Sequence, residues 1–219
     1  MNAFAKRSLV AASLIITSLS CSTAALAEPA GLDAGISDLQ HDWELIQYKT
    51  PGPDREARFA QLADKAHELT QSYDARAEPH IWEGIILSSW ANAKGGLGAL
   101  GIVKQARAQY ETAIAIDPKA LNGAALSSLA VLYYRVPGWP IGFGDKKKAE
   151  DLFKQALVIR PGGVDVNYFY ADYLVGEKRN DEALSYLERA AKAAPRPGRA
   201  IADAGRQDEV KKLMAKISA

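Results

Sequence analysis

Beyond Glu28 the apolar positions recur at helical spacing almost to the end of the chain. Leu39, Trp43 and Ile46 fall four and three apart and share one helical face. Ser37-Asp38-Leu39-Gln40 has the form of a capping box, which places the start of that helix at Ser37. Thr50-Pro51-Gly52-Pro53 breaks it. Phe59, Leu62, Ala63, Ala66 and Leu69 form the stripe of a second helix ending near Tyr73. β-Branched pairs such as Ile85-Ile86 lie inside helical patterns. The pattern predicts an all-α chain.

The middle of the chain repeats itself. Three segments carry an alanine, a large residue four later, an alanine three after that and a proline five after that. They are Ala106, Tyr110, Ala113, Pro118; Ala149, Phe153, Ala156, Pro161; and Ala183, Leu187, Ala190, Pro195. Spacings of four and three put the first three members on one helical face. Small alanines let a neighbouring helix approach, and the large residue fills the gap between pairs. The proline ends the helix, because it removes a donor and clashes with the preceding turn.

This pattern resembles the second helix of the tetratricopeptide repeat, a helix–turn–helix unit of about 34 residues. Pro161 and Pro195 are 34 residues apart, so the last unit fits without gaps. In its first helix Tyr170 and Ala171 stand where the family has Leu and Gly, Leu174 where it has Tyr, and Asn167 replaces the usual Trp. Pro118 and Pro161 are 43 residues apart, and the excess falls on residues 137–145. Residues 95–102 form a matching insert in the first repeat, where either Trp82 takes the family's Trp position or Gly84 its small position. The resemblance implies a tetratricopeptide-like helical-hairpin solenoid. The expected organisation is an N-terminal hairpin over residues 28–78, three repeats over 79–198 and a capping helix over 199–219. In that last helix Ile201, Val210, Leu213 and Ile217 are apolar while Lys211, Lys212 and Lys216 point outward. A solenoid needs such an end piece to cover its last apolar face.

In such an array the first helices line the inner surface. The register places Leu129, Tyr133, Tyr168 and Asp172 there, joined by Trp90, with the remaining tyrosines as interhelical filler. The family's carboxylate-binding pattern of Lys, Arg and Asn is largely missing. The insert 137–145 carries Trp139 and Phe143 among prolines and glycines, which stiffen a loop and permit unusual backbone angles. Large aromatics are mostly buried, which favours Trp139 folding back over the seam between hairpins. Presentation of the aromatic to a partner is the other reading. The sequence thus names Trp139, Phe143, Trp90, Leu129, Tyr133, Tyr168 and Asp172 as candidate partner-binding residues.

Composition narrows the function. Lys+Arg number 27 and Asp+Glu 26, so no basic field is available to hold nucleic acid. One cysteine excludes a disulfide framework and a Cys-based zinc cluster. His41/Glu44 and His80/Glu83 are each three apart, a spacing that could serve a metal, but nothing in the sequence brings the pairs together. The glycine-rich stretch at Gly95 follows a helix and lacks a Lys-Ser/Thr ending, so it is a turn rather than a phosphate cradle. No Ser–His–Asp, Cys–His or paired-carboxylate arrangement stands out. The expectation is a non-enzyme with no cofactor and no metal.

Residues 1–27 read as a secretory signal. Lys6 and Arg7 precede the apolar run Leu9–Leu19, and Ala25-Leu26-Ala27 offers small residues for cleavage before Glu28. Removal takes two positive charges and no acid off a net charge of +1. Cys21 makes a poor lipobox, with Leu19 one place late, so cleavage is favoured over a lipid anchor there. No other segment is long and apolar enough to cross a bilayer. The expected function is a periplasmic scaffold binding a protein partner. A weaker resemblance is to the T component associated with tripartite solute transporters, a periplasmic lipoprotein family. It would imply a transport accessory that binds a partner or an apolar ligand, and the poor lipobox argues against it.

Overall fold

A computed structural model describes residues 29–218. The signal segment and Cys21 lie outside the described residues. Within them are nine α-helices and no strand. They are α1 (Pro29–Lys49), α2 (Gly52–Ser72), α3 (Ala77–Lys94), α4 (Leu100–Ile116), α5 (Ala124–Arg135), α6 (Lys146–Ile159), α7 (Val164–Gly176), α8 (Asn180–Ala191) and α9 (Ala200–Ile217). Helices α1/α2, α3/α4, α5/α6 and α7/α8 are antiparallel hairpins stacked side by side, an all-α solenoid. None of these helices is long and apolar enough to cross a membrane.

The repeated residues form the spine of the array. Ala106, Tyr110, Ala113, Ala149, Phe153, Ala156, Ala183, Leu187 and Ala190 are all buried. Phe153 packs against Tyr134 of α5 and against Tyr170 and Tyr173 of α7, so one large residue joins two hairpins. A Cβ on Gly84 would stand 2.5 Å from the Tyr110 ring. Gly84 therefore takes the small position of the first repeat. Asn167, which replaces the family's Trp, is fully buried and donates from Nδ2 to the Pro161 and Gly163 carbonyls, both at 2.8 Å. It holds the turn between α6 and α7 instead of filling space.

Two boundaries differ from the sequence expectation. Helix α1 begins at Pro29 rather than at a Ser37 cap, and Ser37 lies exposed within it. Leu32 and Ile36 are buried and continue the stripe of Leu39 and Ile46 upstream, and this packing outweighs the local cap signal. The insert 95–102 is a loop only in part. Gly95 and Gly96 turn the chain, and from Leu100 onward it is already α4. Ile102 and Val103 are buried and lengthen that helix. The insert 137–145, by contrast, is irregular throughout.

Helix α9 does more than cap. It packs on α7 and α8 and also reaches α1 at the other end of the array. Glu44 of α1 accepts the Ala202 backbone N–H at 3.1 Å, a contact between residues 158 apart in sequence. A Cβ on Gly205 would lie 2.3 Å from the Tyr48 ring, so only glycine allows this close approach.

Candidate functional site

The meeting of α1 and α9 turns the inner groove into a central cavity of about 530 Å³. Its wall comes from α1, α3, α5 and α7, the first helix of each hairpin, and from the chain around α9. Trp43, Trp82, Ile85, Val131 and Phe169 supply apolar surface, and Ser88, Ser89, Ser127 and Ser128 supply polar surface. Trp43 Nε1 donates to Ser89 Oγ at 2.8 Å and its ring meets Trp82 edge-on at 6.1 Å. Leu121 and Asn122 also line the cavity with left-handed backbone, φ 44° and 60°, which is strained for a residue with a side chain.

The wall beside α9 carries a charge network. Asp165 accepts from Arg206 Nε at 2.8 Å and Arg196 Nη1 at 2.5 Å. Arg196 Nε also donates to Asp203 at 2.7 Å, and Arg206 pairs with Glu209. Burial alone would raise the Asp165 carboxyl. The Arg206 and Arg196 charges prevail and hold it below the usual range. Arg206 lies over the Tyr168 and Phe169 rings, at 4.6 and 4.4 Å. Burial raises the Tyr48 hydroxyl to about 12, against the opposing pull of Arg206.

The sequence-predicted inner residues stand elsewhere. Leu129 and Tyr133 are buried between helices and do not line the cavity, which corrects their expected inward orientation. Trp90 is half-buried against the core. Asp172 accepts from the Tyr134 hydroxyl and from Arg135, tying α5 to α7. Tyr168 meets the α9 contact through Arg206. The true inner stripe runs through Ile85, Ser88 and Ser89, through Ser127, Ser128 and Val131, and through Phe169. It lies one to two positions away from the large residues, which are used between helices. The register is visible in the alanines, but the inner face mixes serines with Trp43, Trp82 and Phe169, so side-chain size does not select it.

The second feature is the edge formed by residues 137–145. Phe143 is half-buried and packs edge-on against Tyr133 at 5.7 Å, with Arg107 stacked over it at 5.1 Å. Lys148 Nζ donates to Tyr133 Oη at 2.6 Å, which fixes the platform beneath. Gly144 N–H donates to the Pro137 carbonyl at 2.9 Å, and Asp145 N–H to the Tyr133 carbonyl at 2.8 Å. A Cβ on Gly144 would lie 2.0 Å from the Val136 carbonyl oxygen, so the loop closes tightly on itself. Trp139 does not fold back over the hairpin seam. It is 90% exposed, and Ile141 beside it is 57% exposed. A hollow of about 340 Å³ lies between this loop and α4, lined by Lys104, Arg107, Glu111 and Phe143 among others.

The histidine pairs are engaged separately. His80 contacts Gln109 Oε1 at 2.5 Å and the Asp74 carbonyl at 2.8 Å, and Glu83 instead contacts His67 at 3.1 Å. Among the described residues no group of three His, Cys, Asp or Glu could hold a metal ion.

Residues 141–217 match the family model described as tetratricopeptide repeat. The C-terminal part of this chain is similar to tetratricopeptide repeats. The match starts in the exposed loop and covers α6, the α7/α8 hairpin and α9, so it includes the helix that reaches α1. No curated protein matches the chain. Tetratricopeptide-like arrays are protein-interaction scaffolds, and the match points to a protein partner here.

Proposed function

We propose that this protein is an exported scaffold that captures a protein partner on the edge carrying residues 137–145. The observation that carries this reading is Trp139. A large aromatic stands 90% exposed on a loop closed by backbone hydrogen bonds and anchored by the half-buried Phe143. Such an anchor costs little conformational entropy to immobilise, because its backbone is already fixed. Exposed tryptophans on rigid supports are typical interface hot spots. Lys147 is exposed beside it and Lys104 lines the adjacent hollow, while Lys146 and Arg107 already pair with Glu177 and Glu111. The complementary partner segment therefore carries an apolar side chain flanked by acids.

The inner groove, the usual site for a peptide in such arrays, is a poorer place for a protein here, because α9 and α1 meet across it. Export follows from the pattern of residues 1–27, with cleavage before Glu28 and a periplasmic destination. The second reading, an accessory of a tripartite solute transporter, draws on the ligand-sized central cavity.

The test is capture from cells with immobilised protein. Trp139→Ala should lower the yield of its specific partner at least tenfold and leave the thermal midpoint and helical content unchanged. An undiminished yield would overturn the docking surface.

A further inference from the structure

The central cavity is bordered by buried donors that the protein's own side chains do not satisfy. Four arginines, Arg160, Arg196, Arg199 and Arg206, line it together with Asp165, and Asp203, Glu209 and Glu44 stand just behind them. Arg196 and Arg206 are engaged by Asp165, Asp203 and Glu209. Arg199 is engaged far less. Its side chain is 13% exposed, and its buried Nε has no hydrogen-bond partner. The facing Glu44 Oε2 is 3.7 Å away and already accepts the Ala202 N–H. Burial first, then the Arg196 charge, push the Arg199 guanidinium below its usual range, yet an arginine stays protonated at neutral pH. It is a desolvated cation short of acceptors.

A second donor is in the same state beside it. The Arg199 guanidinium lies over the Trp82 ring at 5.1 Å. Trp82 is 4% exposed, lines the cavity, and its Nε1 has no hydrogen-bond partner in the protein. Two buried donors without acceptors thus share one cavity. Ile85, Val131 and Phe169 give that cavity apolar wall. Its volume lies within the range of roughly 300–1,000 Å³ found for small-molecule sites.

We propose that the central cavity binds a monocarboxylate with an apolar body, about the size of a medium-chain fatty acid. The carboxylate accepts from the Arg199 guanidinium beside the Trp82 ring, since it is acceptor-only and matches the flat guanidinium fork. The apolar body lies against Ile85, Val131 and Phe169. This site is separate from the Trp139 edge, and its test involves no protein partner.

Calorimetric titration of the purified protein with octanoate, octanol and acetate decides it. Octanoate should bind saturably, one molecule per chain, with octanol and acetate each at least tenfold weaker. Arg199→Gln should weaken octanoate at least tenfold and leave octanol unchanged, in protein shown to be folded by circular dichroism. Val131→Trp fills the cavity from α5, at a residue with no part in the ion pairs. It should abolish octanoate binding at an unchanged thermal midpoint, and it carries the test if Arg199→Gln does not fold. Failure of octanoate to bind wild type, or equal affinity for octanol, would overturn the proposal. So would full octanoate affinity in folded Arg199→Gln or in Val131→Trp.

Discussion

Glu150 shows how single residues fasten the hairpins together. It sits on α6 and accepts from the Tyr170 hydroxyl at 3.2 Å, the Tyr173 hydroxyl at 3.3 Å and Arg179 Nη1 at 3.1 Å. Lys154 adds an ion pair at 3.0 Å. Burial alone would raise its pKa, but the Lys154 and Arg179 hydrogen bonds prevail and hold it at about 2, against 4.5 for a free glutamate. A depressed carboxyl stabilises the fold fully above its unfolded value and loses that contribution as pH falls through its folded value. The window here runs from pH 4.5 down to about 2. Urea midpoints measured across it should fall more steeply for wild type than for Glu150→Gln. Parallel curves would mean that these contacts do not act on the folded state. This role was not legible in the sequence, because Arg179 and the tyrosines reach Glu150 from across two helices. Trp139 illustrates the opposite failure. Its residue type suggested burial, but burial needs a surface to bury against. Gly142 and Gly144 let the loop close tightly on Val136 and Pro137, and the indole at its tip stays in solvent.

At the scale of elements, the second helices were the most legible part of the chain. The Ala–large–Ala–Pro pattern is set by close helix packing, and packing of that kind leaves a local, periodic trace. Ala149, Phe153 and Ala156 are buried where that pattern places them. Helix starts were less legible. Ser37 carries a cap signal worth roughly 1 kcal/mol, while the upstream burial of Leu32 and Ile36 is worth more. The inner stripe was misplaced because large residues were assigned to it, whereas Leu129 and Tyr133 serve between helices. Helix α9 was found but its reach was not. Gly205→Leu should drive a side chain into the Tyr48 ring and cost about 1–3 kcal/mol, as overpacking does. Hydrogen exchange should then rise across α9 while α7 and α8 stay protected. Unchanged α9 protection would show that the α1–α9 contact does not hold that helix.

At the scale of the molecule, the contact between α1 and α9 decides which surfaces are available. A run of hairpins has an open inner groove, and nothing local in the sequence announces its closure. The contact pairs Glu44 with Ala202 and Tyr48 with Gly205, residues with no shared periodicity. It leaves the groove as a cavity of small-molecule size, and on the proposed reading the surface for a protein lies on the outer edge at Trp139. The near-balance of 27 basic and 26 acidic residues fits this division, because no broad field competes with the local features. A photo-crosslinking amino acid placed in intact cells at position 139, and separately at position 169 in the cavity wall, tests this arrangement directly. The account predicts a protein adduct from position 139 and none from position 169. Adducts from position 169 with none from position 139 would contradict it.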